Sequence, residues 1–312
     1  MCTLTWRFTC LLLLLLIALD GARALPTTSR LMVPVAIDER AGAARAKSWK
    51  RSAPFEMVRT RLSEDFSGVE GDDMEKYFHE STFHPHYDGR FADDTLPEHL
   101  RHVALTHLVQ TYLSTMASLG AETWLMHGSL LGWWWNREIM PWDSDIDVQI
   151  NMDSTRYLAA FHNMTVHHFR LPPTDEPREG AEEGQELEWG SRDYLLEINP
   201  HYRNDSTADK LNVIDARWID TDTGLFIDIT TLRPNWTARA EGIDGAMMCK
   251  DRHHYLEQDI FPLRTSTFEG APVKIPFAYS ELLQEEYGPT ALTQTVFQGH
   301  VFEEGRGEWR GM

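Results

Sequence analysis

The sequence predicts an α/β protein with a mixed sheet, and three observations carry that reading. Residues 145–150, Asp-Ile-Asp-Val-Gln-Ile, alternate polar with apolar side chains, the period of a half-buried strand. Residues 213–220 and 225–232 form a hairpin pattern about the turn Thr221-Asp-Thr-Gly224. Helical periodicity precedes and separates these strands, most clearly over residues 95–119.

The 312 residues, 42% hydrophobic and 25% charged, are enough for one large or two small domains with a substantial core. A formal net charge of −19 disfavours a nucleic-acid partner. An anionic substrate needs a cation or local basic groups to hold it against that field.

Arg7 precedes an apolar run over residues 8–19, and Ala22 and Ala24 occupy small-residue positions before a cleavage point. Residues 1–24 therefore read as a secretory signal peptide, cleaved or kept as a short anchor. The run is shorter than the roughly 20 apolar residues of a membrane span. Cys2 and Cys10 lie inside it, so Cys249 is the one cysteine of the mature chain and is expected as a buried thiol. Sequons at Asn163, Asn204 and Asn235 agree with a luminal, glycosylated chain.

Residues 25–55 are rich in Ala, Arg, Lys, Ser and Pro without period and read as a flexible linker, with Lys50-Arg51 as a dibasic processing site. Residues 56–94 form an aromatic, acidic arm in which His79, His84 and His86 lack zinc-ligand spacing and Arg90 is a phosphate-contact candidate. Thr95-Leu-Pro-Glu98 matches a capping box. The helix after it carries Leu100, Val103, Ala104, His107, Leu108, Thr111, Tyr112 and Thr115 on one stripe and stops at Gly120. Residues 122–126 read as a strand, Gly128-Ser129 as a turn, and residues 129–136 as a short helix. Trp133, Trp134 and Trp135 are expected in the core or as a stacking surface. A helix over 153–164, an acidic insertion over 172–190, a strand over 194–199, two short strands within 268–276, a helix over 280–287 and a partly ordered tail over 291–312 complete the chain. The main domain spans residues 56–290.

The chemistry concentrates in carboxylates. On a strand, Asp145, Asp147 and Gln149 share one face, and Ile146, Val148 and Ile150 share the other. Carboxylates at i and i+2 can share a hard divalent cation, Mg2+ or Mn2+, which in turn binds phosphates. Asp228 stands in an otherwise apolar strand. Counting back through the turn sets Arg217 opposite it, as an ion-pair partner or a phosphate ligand, whereas a slipped register brings Asp220 there. Glycine at 128 lets a phosphate approach the backbone, and the helix start behind it favours an anion. Asp143 is a candidate general base or outer-shell ligand, or else part of a solvated turn. An EF-hand fails because Val148 and Ser154 stand where Gly and Glu are needed.

His127-Gly-Ser-Leu-Leu-Gly132 followed by Pro141-Trp-Asp-Ser-Asp-Ile-Asp-Val148 resembles the LicD family of phosphocholine and phosphosugar transferases, which includes the fukutin-type proteins. Residues 76–91, Phe226-Ile-Asp-Ile229 and residues 259–276 look like the fungal branch associated with mannosylphosphorylation, and the likeness covers roughly residues 60–290. The resemblance implies a nucleotidyltransferase-fold core with an N-terminal arm and a C-terminal extension. It implies Asp145, Asp147 and Asp228 as ligands of Mg2+ or Mn2+, and His127, Gly128 and Ser129 as the phosphate-binding turn, with Arg137 and Arg217 as further substrate contacts. Ser144 replaces the Asp usual in the family, on the side away from the cation. The cysteine cluster that holds zinc in some animal members is absent, so no zinc is expected. The implied function is a Golgi-lumen or secreted phosphotransferase moving mannose-1-phosphate from GDP-mannose onto a glycoprotein glycan. The alternatives are a non-catalytic regulator acting with a partner transferase in the Golgi membrane, a transferase of phosphocholine or another phospho group, and a glycosyltransferase using Asp-x-Asp.

Overall fold

The structure, a computed structural model, describes residues 53–68, 73, 75–171 and 190–312, together with the backbone of Val33–Asp38. The signal peptide, the dibasic pair and residues 172–189 of the acidic insertion lie outside the described residues.

In chain order the elements are β1 (Val33–Asp38), α1 (Glu98–Leu119), β2 (Thr123–Leu125), α2 (His127–Trp135), β3 (Ile146–Asn151), α3 (Met152–Phe161), β4 (Thr165–Leu171) and β5 (Gly190–Ile198). Then follow β6 (Ala216–Asp220), β7 (Phe226–Pro234), α4 (Trp236–Ala240), β8 (Ala246–Met248), β9 (His254–Leu256), α5 (Glu257–Ile260), β10 (Arg264–Phe268) and β11 (Ala271–Ile275). The chain closes with α6 (Tyr279–Tyr287), β12 (Val296–Phe297), β13 (His300–Glu303) and β14 (Glu308–Gly311). The main sheet runs β1-β4-β5-β6-β7-β3-β2, with β8 and β9 added beside β7. It is mixed, as the sequence predicts: β3 and β7 pair in parallel, and the other pairs are antiparallel.

Alternation decides the faces. Ile146, Val148, Ile150, Ile227 and Ile229 are buried in one core with Trp124, Trp218 and α1. The β6–β7 hairpin takes the predicted register, with Arg217 across from Asp228. Asp220 instead pairs with Arg192 at 2.7 Å. α1 is buried on more sides than one stripe, because Leu105, Val109, Leu113 and Met116 are enclosed as well. The reason is a second cover: the β10–β11 hairpin lies against α1 and β2, and Thr106 and Gln110 donate to Glu269 at 2.9 and 2.6 Å. The capping box does not form. Pro97 is the N-cap, and Thr95 bonds Asp94. Gly120, at φ 70°, ends the helix as expected. Among the described residues no helix is long and apolar enough to cross a membrane.

Two expectations need correction. Residues 25–55 are not linker throughout: Val33–Asp38 pairs with β4 as an edge strand, where Pro34 is tolerated, and Ala53 is buried. The composition of the stretch hid the run Val-Pro-Val-Ala-Ile. The C-terminal residues 291–312 are not a loose tail, since β12, β13 and β14 form their own sheet. Trp309 anchors it, with its ring 5.0 Å from both Trp135 and Trp142. Trp134 and Trp135 donate to the carbonyls of Leu292 and Ala291 at 3.4 and 3.2 Å. The tryptophan run therefore divides its work: Trp133 fills the core, and its neighbours dock the C-terminal segment.

The N-terminal arm is held by a buried ionic knot. Arg90 donates to Asp88 at 2.6 Å, to Glu197 of β5 at 2.7 Å and to the Ala53 carbonyl at 3.0 Å. Arg90 is thus consumed by structure and is not a phosphate contact. The Tyr77 hydroxyl completes the Glu197 shell at 2.9 Å. Removing one partner leaves charges buried without compensation. Arg90→Ala is expected to lose about 3–5 kcal/mol of stability, read as a lowered urea midpoint.

Candidate active site

The site is built where β3 emerges beside β7 and meets the start of α2. Parallel pairing sets Asp147 next to Asp228. Asp145 lies two residues before Asp147, just ahead of the strand. The chain around Asp147 is stitched to the helix start. The Ser129 hydroxyl accepts from the Asp147 amide at 2.9 Å, and the Met126 amide donates to the Asp147 carbonyl at 3.2 Å. Leu130 makes the first hydrogen bond of the helix, to Met126, so the amides of residues 127–129 have no intrahelical acceptor. That is an anion-binding end.

A cavity of about 330 Å3 opens at this point. Its volume falls in the roughly 300–1,000 Å3 range of small-molecule sites. Gly128, Asp143, Asp145, Asp147 and Tyr287 line it together with the aromatic rings of Trp135, Trp142, Phe297 and Trp309. A Cβ at Gly128 would sit 3.6 Å from Asp143 Oδ2 and 4.0 Å from the Tyr287 hydroxyl, so a longer side chain there would project into the cavity. Gly132 serves packing instead, since a Cβ would stand 2.5 Å from the Glu138 carbonyl. A larger cleft of about 570 Å3 lies beside Glu98, His102 and Glu138, without Asp145 or Asp147.

Electrostatics single out two carboxyls. Burial, then the charge of Asp145, raises the Asp143 pKa to about 7. Burial, then Asp145 and further Asp228, raises Asp147 to about 8, with His127 opposing. The donor set fits a hard divalent cation: Asp145, Asp147 and Asp228 crowd one another, and Asp147 takes up a proton where no cation neutralises the group. Arg217, buried behind Asp228, donates from Nε to Oδ1 at 2.8 Å and lies 3.6 Å over the Phe226 ring. It is the ion-pair partner of Asp228.

The other sequence-predicted residues take different places. Arg137 donates to the Trp133 carbonyl and stacks at 3.9 Å on the Trp133 ring, and it does not line the cavity. His127 adopts φ 52° and turns its ring to Glu286, Nδ1 standing 2.8 Å from the carboxylate. Burial alone would lower its pKa, but the Glu286 hydrogen bond and charge, with Asp147 and Asp251, carry it above the usual value. Gln149 is buried, its amide donating to Cys249 Sγ at 3.2 Å and Tyr255 at 3.1 Å. Cys249 is the buried thiol expected. Asn204 is exposed, while Asn163 and Asn235 are half-buried and accept backbone hydrogen bonds from Ile198 and Ala238.

Sequence reasoning missed three contributors. His86, carried by the arm, places Nδ1 2.7 Å from Ser144 Oγ and Nε2 3.7 Å from Asp145. The aromatic lining added by the C-terminal sheet was hidden by its reading as a tail. Asp251 and His253 meet His127, and their i, i+2 spacing was the available signal.

The family described as LicD/FKTN/FKRP, nucleotidyltransferase domain, matches residues 120–278, about half of the chain. The chain belongs to the LicD family. Among curated proteins, it is 31% identical to Mannosyltransferase regulator 4 of Saccharomyces cerevisiae over 150 residues, 47% of this chain and 11% of that protein. It is 30% identical to Mannosyltransferase regulator 14 of the same yeast over 128 residues, 41% of this chain and 12% of that protein. The chain thus spans only about a tenth of the length of these relatives. They are consistent with the fungal branch of the family. Family members are typically transferases, whereas these two relatives are named regulators. The matched region ends at residue 278, before α6 and the C-terminal sheet.

The raised carboxyl pKa values have a signed consequence. From pH 3.8, the ordinary carboxyl pKa, to about 8 the fold holds a proton on Asp147 that the unfolded chain has released. The native state binds more protons there, so stability falls as pH rises through that window. Thermal melting in chelator is expected to show that fall. Asp147→Asn flattens it and raises the melting temperature at pH 8. Added Mn2+ stabilises the wild type most at the alkaline end.

Proposed function

We propose that this protein is a metal-dependent phosphosugar transferase of the secretory pathway, moving mannose-1-phosphate from GDP-mannose onto a glycoprotein glycan in the Golgi lumen. The observation that carries the reading is the convergence of Asp145, Asp147 and Asp228 at the open amide end of α2, beside a cavity of about 330 Å3. Acidic residues alone would repel a diphosphate. Acidic residues that hold Mg2+ or Mn2+ beside a helix N-terminus attract one.

In the reaction a glycan hydroxyl attacks the phosphorus next to mannose. The new bond is oxygen to phosphorus. The bond broken joins that phosphorus to the bridging oxygen, which leaves on GMP. A bound divalent cation supplies neutralisation of the diphosphate and of the charge on the leaving phosphate. The amides of residues 127–129 hold phosphate oxygens, and Gly128 gives them room. Trp135, Trp142 and Trp309 offer ring faces for a base or a sugar. Asp143, with a pKa near 7, is suited to take the hydroxyl proton.

A second reading is favoured by the printed names of the yeast relatives: a regulator that presents the glycan or donor to a partner transferase. One assay separates the two. The purified protein is given GDP-mannose, CDP-choline or CDP-ribitol with Mn2+ and high-mannose glycan. The transferase reading expects GMP release with phosphate retained on the glycan, and loss of at least about 100-fold in Asp145→Ala/Asp147→Ala. Folded protein that turns over no donor, yet stimulates a separate transferase, establishes the regulator instead.

A further inference from the structure

His127, Asp251 and His253 come from the start of α2 and from the turn after β8, and their ligand atoms all lie within 4.8 Å of one another. His253 Nδ1 is 3.0 Å from Asp251 Oδ2, and His127 Nε2 is 4.0 Å from the same oxygen. Donors about 2.0–2.1 Å from a tetrahedral ion stand roughly 3.4 Å apart. The observed spacings bracket that value.

Three further facts separate this cluster from an ordinary ion pair. The His127 ring nitrogen that faces Asp251, Nε2, is buried and without a hydrogen-bond partner. The 4.0 Å separation is too long for a hydrogen bond, and the 3.0 Å contact of His253 Nδ1 with Asp251 helps hold that carboxyl below its usual pKa despite burial. The opposite nitrogen of His127, Nδ1, is bound to Glu286 at 2.8 Å. A carboxylate on Nδ1 holds the ring so that Nε2 faces Asp251 and can exchange its proton for a metal ion, the arrangement that accompanies metal-bound histidines. Finally, Asp251 is itself held in place: its Oδ1 accepts from the His253 amide at 3.3 Å, which leaves Oδ2 toward the rings.

We propose that His127 Nε2, Asp251 Oδ2 and His253 Nδ1 bind one transition-metal ion of the Zn2+ type, with Glu286 as the outer carboxylate that orients His127. Two imidazoles and one carboxylate select a borderline ion over Mg2+, unlike the all-oxygen Asp145/Asp147/Asp228 group. The ion sits behind the phosphate-binding turn. It ties the first residue of α2 to the 251–253 turn and, through Glu286, to α6. It would hold His127 in its φ 52° conformation and so fix the amides that follow. Its role is positioning, and the site does not depend on the transferase reading. It also revises the expectation of no zinc, which rested on the absent cysteine cluster and on the spacing of His79, His84 and His86.

The test uses the whole luminal protein, freed of affinity-tag histidines and stripped with chelator. Titration with Co2+ is expected to give one ion per chain with the strong visible absorption of a four- or five-coordinate site, displaced by one equivalent of Zn2+. The signal persists in Asp145→Asn/Asp147→Asn, disappears in His253→Gln and Asp251→Asn, and weakens about 10–100-fold in Glu286→Gln. X-ray absorption at the zinc edge of the wild type reads the ligands without any variant, and two imidazoles are expected. No stoichiometric Co2+ or Zn2+ binding, an all-oxygen shell, or a signal that follows Asp145 and Asp147 overturns the proposal.

Discussion

The parallel pairing of β3 with β7 is the constraint on which the site depends. It joins two strands far apart in sequence and sets Asp147 beside Asp228 on one face. The apolar faces of the same strands, with Ile146, Val148, Ile227 and Ile229, are fully buried, so a one-residue slip would put carboxylates into the core. Hydrophobic burial therefore enforces the crowding of like charges at the opposite face. That crowding is unfavourable in itself, and burial, with the charges of Asp145 and Asp228 added to it, raises Asp147 to a pKa of about 8. A fold that keeps such a group is prepared for a cation.

The rest of the chain completes what the two strands begin. α2 brings its open amide end to Asp147 through Ser129 and Met126. The N-terminal arm, locked by Arg90 to Glu197, carries His86 to Asp145. The C-terminal sheet, docked on Trp134 and Trp135, adds Phe297 and Trp309 to the aromatic lining. The arm and the C-terminal sheet lie outside the family-matched residues 120–278.

Much of this was legible in the sequence because it depends on local periodicity. The alternation at 145–150 fixed which aspartates share a face, and the turn at 221–224 gave the Arg217–Asp228 pairing by counting. The pairing of β3 with β7 depends on a non-local contact, so only the family resemblance joined Asp228 to the other two. Composition misled twice. Residues 33–38 and 296–311 looked like linker and tail, because Val33–Asp38 lies in a stretch of linker-like composition and the strands of the C-terminal sheet, of two to four residues, are too short to show a period. Arg90 looked free to bind phosphate, because a buried Arg paired with two acids shows no mark in the sequence. The meeting of His127 with Asp251, His253 and Glu286 joins three distant segments and was beyond any local pattern.

The central claim is that Asp145, Asp147 and Asp228 form one cation site that receives a nucleoside diphosphate. A crystal of the protein grown with Mn2+ and GDP, measured at the manganese absorption edge, tests it most directly. The account predicts an anomalous peak among these three carboxylates, with diphosphate oxygens on the ion and toward the amides of residues 127–129. Diphosphate bound elsewhere, or ordered carboxylates with no peak between them, would contradict it.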